Sequence, residues 1–266
     1  MDKSLRNKIT ISAVIVILAA MICASGCVGV FNPTPKEVRI HDNIISVDSN
    51  YISDSLIWTL CLSPDTYCNE MFDAVEKYLP SENSVIEVGA GIGAVTAFVN
   101  DRLIISSNHI AVEPNIYLIP CLEKTKEING LGCVFVQKAV AYGSDTVQIS
   151  VNSNIINNEI VKNSNNIIET IKVNTTTLQQ LAESSMISDK NNLTVIIDVG
   201  GYEHTIVQRE NAFIRDNVKT MIVSVQTDNK NTPETFGYIM NNLGFKTESN
   251  VYDESANCNV MVFVKE

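Results

Sequence analysis

The chain has 266 residues, 45% of them hydrophobic, and a formal charge of −11 with a pI near 4.8. That length and apolar content exclude a disordered protein and fit one globular domain with an appendage. The acidic balance, with no cluster of Lys and Arg, excludes a nucleic-acid partner, whose phosphates would have to be neutralised.

The first thirty or so residues differ from the remainder. Lys3, Arg6 and Lys8 precede an uncharged stretch from Ile9 to Phe31 in which Ile, Val, Ala and Leu dominate through Met21. This is a membrane-targeting element with two readings. A run of this length can span a bilayer, and its Ala24-Ser25-Gly26-Cys27 ending is similar to the lipobox of exported lipoproteins, in which Cys27 would carry the lipid. Ala24 departs from that pattern, which usually has a large aliphatic residue there. Basic residues ahead of the apolar run predict a membrane-anchored protein with its domain on the extracytoplasmic side.

The chain therefore divides into an anchor or signal segment (1–31), a linker and N-terminal extension (32–62) and a domain (63–266). Cys61, Cys68, Cys121, Cys133 and Cys258 lie outside the targeting segment and form no C-x-x-C pair, with no His at ligand spacing. No metal site is expected. One or two disulfides are permitted, but spacing does not choose the pairs; Cys133 reads as core.

Phe31-Asn32-Pro33-Thr34-Pro35 makes a short stiff linker. Residues 36–62 carry no assignable pattern. From Ser63 onward, Tyr67, Met71, Phe72, Val75 and Leu79 recur at helical spacing and predict one amphipathic helix up to Pro80. Trp58 and Tyr67 read first as core aromatics and second as pocket lining. Strands are expected near 84–88, 109–113, 133–137, 194–199 and 219–225, with helices beginning near Ile92, Ile116, Glu203 and Pro233, and a closing strand over Asn259–Val264. This alternation predicts an α/β fold, a parallel sheet with helices on both faces. Residues 145–174 interrupt it: Val147, Ile149 and Val151 alternate, an Asn-rich loop follows, then Ile171 and Val173. The pattern is that of a β-hairpin-like insertion with a long tip.

The most informative stretch is Val85-Ile86-Glu87-Val88-Gly89-Ala90-Gly91-Ile92-Gly93. An apolar run ending in an acid and three alternating glycines reads as a buried strand turning sharply into a helix, whose first N–H groups are free for a ligand. The G-x-G-x-G spacing lacks the last interval of the dinucleotide fingerprint, which argues against an NAD-dependent oxidoreductase. Twenty residues beyond Gly93 the next strand ends in Glu113, placed to accept hydrogen bonds from both ribose hydroxyls of an adenosine group.

This pairing resembles class I S-adenosylmethionine-dependent methyltransferases. The resemblance sharpens at Val195-Ile196-Ile197-Asp198-Val199-Gly200-Gly201-Tyr202-Glu203, which is similar to the fourth-strand motif K-I-D-V-E-G-A-E of the FkbM-type family. Lys138-Ala139-Val140-Ala141, Thr177-Leu178 and Leu243-Gly244-Phe245 also fit that layout, so the likeness runs from about residue 63 to 264. It implies a Rossmann-like, mostly parallel seven-stranded sheet, S-adenosylmethionine as cofactor, and O-methylation of a sugar, lipid or small-molecule acceptor. Residue by residue, it places Glu87, Gly89, Gly91 and Gly93 in the cofactor cradle and Glu113 on the ribose. Asp198, Glu203 and His204 are the candidates to receive the acceptor's proton.

Three positions depart from the family pattern. Ile196 stands for its Lys, Gly200 for the first Glu of its motif, and Ser224 for the acid of its fifth strand. An exported domain would also face a compartment where S-adenosylmethionine is not normally supplied. Two classes follow: a membrane-anchored O-methyltransferase, or a catalytically inactive descendant serving as a membrane-anchored binding or scaffold domain.

Overall fold

The computed structural model describes residues 34–152, 159–160, 167–184, 186–227 and 231–265. The expected anchor, its lipobox and much of the insertion tip lie outside them. Among the described residues no helix is long and apolar enough to cross a membrane.

The chain opens with β1 (Glu37–Ile40) and β2 (Asn43–Ser46), an antiparallel hairpin turning through His41 at φ +49°. Helix α1 (Asp54–Leu62) follows, started by Ser53, whose hydroxyl accepts from the Leu56 N–H and so satisfies one of the free donors of the first turn. The single helix expected over 63–80 is broken. Pro64–Thr66 forms one 3-10 turn, Tyr67 is extended, Cys68 adopts a left-handed φ of +52°, and only then does α2 (Asn69–Tyr78) begin. Proline at the second position biases Ser63 out of the helical region. The break removes Tyr67 from the apolar stripe of α2.

The sheet is built from β3 (Ser84–Val88), β4 (His109–Val112), β5 (Val134–Val136), β10 (Leu193–Ile197), β11 (Val218–Val225), β12 (Phe245–Asp253) and β13 (Cys258–Lys265). Its order is β12-β13-β11-β10-β3-β4-β5. The pairs from β11 through β5 are parallel, whereas β13 runs antiparallel to both β11 and β12. This is the seven-stranded, mostly parallel, Rossmann-like sheet the resemblance implies.

Between the strands lie α3 (Ala94–Asn100), α4 (Ile119–Asn129), α5 (Leu178–Glu183), α6 (Glu203–Arg209), α7 (Asn211–Asn217) and α8 (Pro233–Asn242). Because side chains alternate across a strand, neighbouring residues of β10 feed different cores. Ile196 packs with Phe72, Val75, Ala97 and Phe98 on one face. Val195 and Ile197 pack with Leu181, Ile206, Ile214 and Phe236 on the other.

The N-terminal extension belongs to the first of these cores. Ile40, Ile45 and Leu60 are fully buried in it, and each such burial contributes about 1.5–3 kcal/mol. Trp58, expected in the core, instead lies 40% exposed on the outer side of α1.

The insertion is a second, small sheet in the order β6-β9-β7-β8, with β6 at Ala139–Val140, β7 at Thr146–Asn152, β8 at Glu159–Ile160 and β9 at Ile167–Thr176. Strands β7 and β9 form the expected antiparallel pair. Val151 enters the first core, and Ile149 faces the cavity described next.

Candidate active site

A cavity of about 300 Å³ opens at the carboxyl ends of β3 and β10. Strand order reverses there, which leaves a crevice between the two diverging connections. Two loops close its floor. Gly89 and Ala90 donate their N–H groups to Val112 O at 2.9 and 3.0 Å, and Asp198 donates its N–H to Val88 O at 2.9 Å. Gly89 has φ +95°, and a Cβ added to it would lie 1.9 Å from the backbone oxygen of Asp198. Only glycine permits this approach. A Cβ on Gly91 would meet nothing within 4 Å, so this part of the loop faces open space.

Glu113, 4% exposed, accepts from the Gly91 N–H through Oε2 at 2.9 Å and from the Asn115 N–H through Oε1 at 2.8 Å. Burial pushes its carboxyl up to about 7, against the pull of those two donors. A carboxylate offers about four lone-pair sites. Two remain for a ligand, so the cradle and Glu113 fit the adenosine portion of S-adenosylmethionine.

Glu87 also lines the cavity, held from behind. Its Oε2 lies 3.0 Å from His109 Nε2, with both side chains buried. His109 Nδ1 lies 3.4 Å from Asn100 Nδ2, and Asn100 Oδ1 accepts from the Gly132 N–H at 2.9 Å. An amide donating to Nδ1 leaves the ring proton on Nε2, where it points at Glu87. The sequence reading missed this relay. Its one trace was a histidine beginning a strand that is otherwise wholly apolar.

Of the three proton-acceptor candidates, the structure brings only Asp198 into the cavity wall. Its side chain is exposed where it lines the cavity. The protein packed around it raises its carboxyl to about 6; the nearby Ser224 hydroxyl opposes that rise, and the charges of Glu87 and Asp253 add to it. Ser224 in turn lies 3.0 Å from Cys258 Sγ.

Glu203 and His204 are not among the lining residues. Glu203 is fully buried and accepts from the Gly201 N–H at 2.8 Å, holding the loop in which Gly200 and Gly201 take φ of +64° and +96°. Its Oε2 has no hydrogen-bond partner among the described residues, and burial pushes the carboxyl up to about 7. His204 packs edge-on against Phe236 at 4.9 Å, with Nε2 3.4 Å from Thr235 Oγ1.

Other lining residues come from segments without sequence motifs. They are Leu56, Thr59 and Leu60 of α1, Tyr67, Met71 of α2 and Ile149 of the insertion, and Lys138 is the one cation among the lining residues. Among the described residues no group of three or more metal-ligating side chains occurs, and the five described cysteines are free thiols.

A family model for the methyltransferase FkbM domain matches residues 87–253, well over half of the chain and the whole stretch from the cradle to the end of β12. The chain belongs to the FkbM-type methyltransferase family. Its members are S-adenosylmethionine-dependent methyltransferases, and that cofactor is the one the cradle fits. Among solved structures, magnesium protoporphyrin IX methyltransferase from Synechocystis PCC 6803 with bound SAH is similar at 9% identity, over 79% of this chain and 87% of that chain, with a TM-score of 0.47. Precorrin-6y C5,15-methyltransferase from Geobacter metallireducens GS-15 is similar at 10% identity, over 74% and 88%, with a TM-score of 0.44. Both likenesses concern overall fold. No curated protein matches the sequence significantly.

In this FkbM-type domain the three family departures leave the cavity open. Ile196 turns its side chain into the first core, Gly200 supplies a left-handed turn, and Ser224 lines the cavity with Asp198. The inactive-scaffold alternative is not favoured.

The buried carboxylates have a consequence for stability. Glu113 and Glu203 both have folded values raised to about 7, above the ordinary glutamate value of about 4.3. The folded state therefore holds more protons than the unfolded state between those limits. Their contribution is fully present below pH about 4 and is lost as pH rises through about 7. Each is worth on the order of 3 kcal/mol. Urea unfolding of the ligand-free protein is expected to show declining stability from pH 5 to 8, with a flatter profile in Glu203→Gln.

Proposed function

We propose that the domain transfers a methyl group from S-adenosylmethionine to a hydroxyl oxygen of a sugar, lipid or other small-molecule acceptor, with Asp198 receiving the hydroxyl proton. One observation carries this reading: the Asp198 carboxylate and the glycine cradle share one cavity, and their backbones are joined by the Asp198 N–H to Val88 O bond of 2.9 Å. When bound, the cofactor supplies an electrophilic methyl carbon on a sulfonium. The chain's part is alignment and proton removal. Glu113 and the glycine cradle would hold the adenosine end, which would leave the part of the cavity lined by Asp198, Leu56 and Leu60 for the acceptor. A carboxyl near 6 is ionised at neutral pH and basic enough to share a proton with an attacking hydroxyl.

Calorimetric titration of the full chain with S-adenosylhomocysteine tests the cradle. Glu113→Ala is expected to weaken binding by about 1.5–3 kcal/mol, since the ribose hydroxyls lose a charged acceptor. An affinity indifferent to that change would overturn the assignment. We also propose that residues 1–31 hold the domain at a membrane on its extracytoplasmic side, supported by Lys3, Arg6 and Lys8 ahead of the apolar run. The mass of the mature amino terminus distinguishes lipidation at Cys27 from an intact segment.

A further inference from the structure

Helix α1 has two functional sides. Ile57 and Leu60 are buried, and Leu56, Thr59 and Leu60 line the catalytic cavity. On the other side Trp58 is 40% and Leu62 70% exposed, with Cys61 exposed beside them. Positions 58, 61 and 62 fall on one helical face. Asp54, at the amino end, is the helix's one charged residue. An exposed tryptophan and leucine on an uncharged helix face form a surface suited to a lipid–water interface, where indole is favoured.

The entry point of the chain lies beside this face. Pro35, at the start of the described domain, borders a small hollow together with Cys61 and Pro64, at the carboxyl end of α1. The apolar segment ends at Phe31. The five residues from Phe31 to Pro35 can reach at most about 17 Å when fully extended. A membrane holding residues 9–31 would therefore lie within that distance of Pro35.

We propose that α1 rests on the membrane with Trp58 and Leu62 in the interface, and that the cavity behind it takes a lipid-borne hydroxyl acceptor delivered from that surface. The inference rests on the reading of residues 1–31 as a membrane segment and on the methyltransferase assignment. It narrows the acceptor class: Leu56, Leu60, Met71 and Ile149 give the lining of the cavity an apolar part. The net charge of −11 disfavours anionic bilayers, so the contact is one with zwitterionic lipid.

Trp58 is the chain's single tryptophan, which makes its fluorescence a specific probe. The full chain reconstituted into phosphatidylcholine vesicles is expected to show Trp58 emission shifted to the blue, quenched by phosphatidylcholine brominated in the upper acyl chain, and protected from aqueous iodide. Leu62→Glu is expected to lose at least half of the lipid quenching while keeping its melting temperature and its S-adenosylhomocysteine affinity. Iodide quenching without lipid quenching would place α1 in water and overturn the proposal. Protection from both quenchers would mean that the apolar segment or a second copy of the chain covers the helix, which also overturns it. Failure to float with vesicles would remove the anchor on which the inference rests. S-adenosylhomocysteine titration in the same vesicles reports the cradle separately, so loss of the methyltransferase reading and loss of the membrane contact give different results.

Discussion

Gly89→Ala is expected to be the most damaging single-methyl addition in the domain. The new Cβ would lie 1.9 Å from Asp198 O and 2.9 Å from its carbonyl carbon, and both are backbone atoms that no rotamer change can move. The left-handed φ of +95° adds strain for any residue with a side chain. Relief requires β3 and β10 to separate at their carboxyl ends, at the cost of the Asp198 N–H to Val88 O bond and the Gly89 N–H to Val112 O bond. Strain and overpacking together cost about 3–6 kcal/mol, a large share of a typical domain's total stability. The melting temperature should fall by roughly 6–20 °C, and S-adenosylhomocysteine affinity should be lost with it. Gly91→Ala is the control. Its Cβ meets nothing within 4 Å, so only the left-handed backbone is strained, by about 1–2 kcal/mol. That variant should fold and lose cofactor affinity, because the strain falls on the cavity-lining residue whose N–H holds Glu113. Equal melting temperatures for the two variants would show that the closeness of the loops is not what selects glycine at position 89.

Asp198→Asn should separate binding from transfer. Asparagine keeps the shape and the backbone bond to Val88 but cannot take a proton, so a general-base role predicts a fall in kcat of about 10²–10⁴. Cofactor affinity should be retained, since the proposed ribose partner is Glu113. The pH dependence gives the sign. A base must be ionised, so wild-type kcat at saturating cofactor should be present above about 6 and decline as pH falls through that value. The asparagine variant should show no such limb. A variant with near wild-type kcat would mean that acceptor alignment, not proton removal, limits the reaction, and would sink the role given to Asp198.

The parts of the fold legible in the sequence are those whose signals are local. Strand β3 lies where its apolar run predicts, and α8 starts at Pro233 as expected, with Thr232 and Thr235 forming reciprocal caps around a proline suited to the first turn. Strand β12 left no readable trace, because Phe245–Asp253 is an edge strand with mostly exposed side chains and its sequence has no apolar alternation. The helix expected over 63–80 broke because tertiary contacts outweighed its periodicity. Tyr67 and Cys68 face the cavity, where burial pushes both side-chain pKa values well up. Residues 36–62 had no pattern of their own because their apolar positions are filled by partners distant in sequence, such as Thr125 and Asn129 of α4, which bond the backbone of Ser46 and Ile44.

The same division holds at the site. The sequence by itself determined the cradle, since strand, acid and alternating glycines are neighbours in the chain, and Glu113 follows at a spacing set by one βαβ unit. It also named Asp198, Glu203 and His204 as candidates, with Asp198 favoured by its position. The tertiary structure gave each its surroundings: one turn beyond β10 sends Asp198 into the cavity, Glu203 under its own loop and His204 against Phe236. Only the tertiary structure showed that Glu87 leans on His109 and Asn100, and that α1 and the insertion line the cavity. The physical reason is the range of the contacts. Backbone conformation and nearest-neighbour chemistry are written locally, whereas burial, shared protons and cavity walls depend on side chains that only packing brings together.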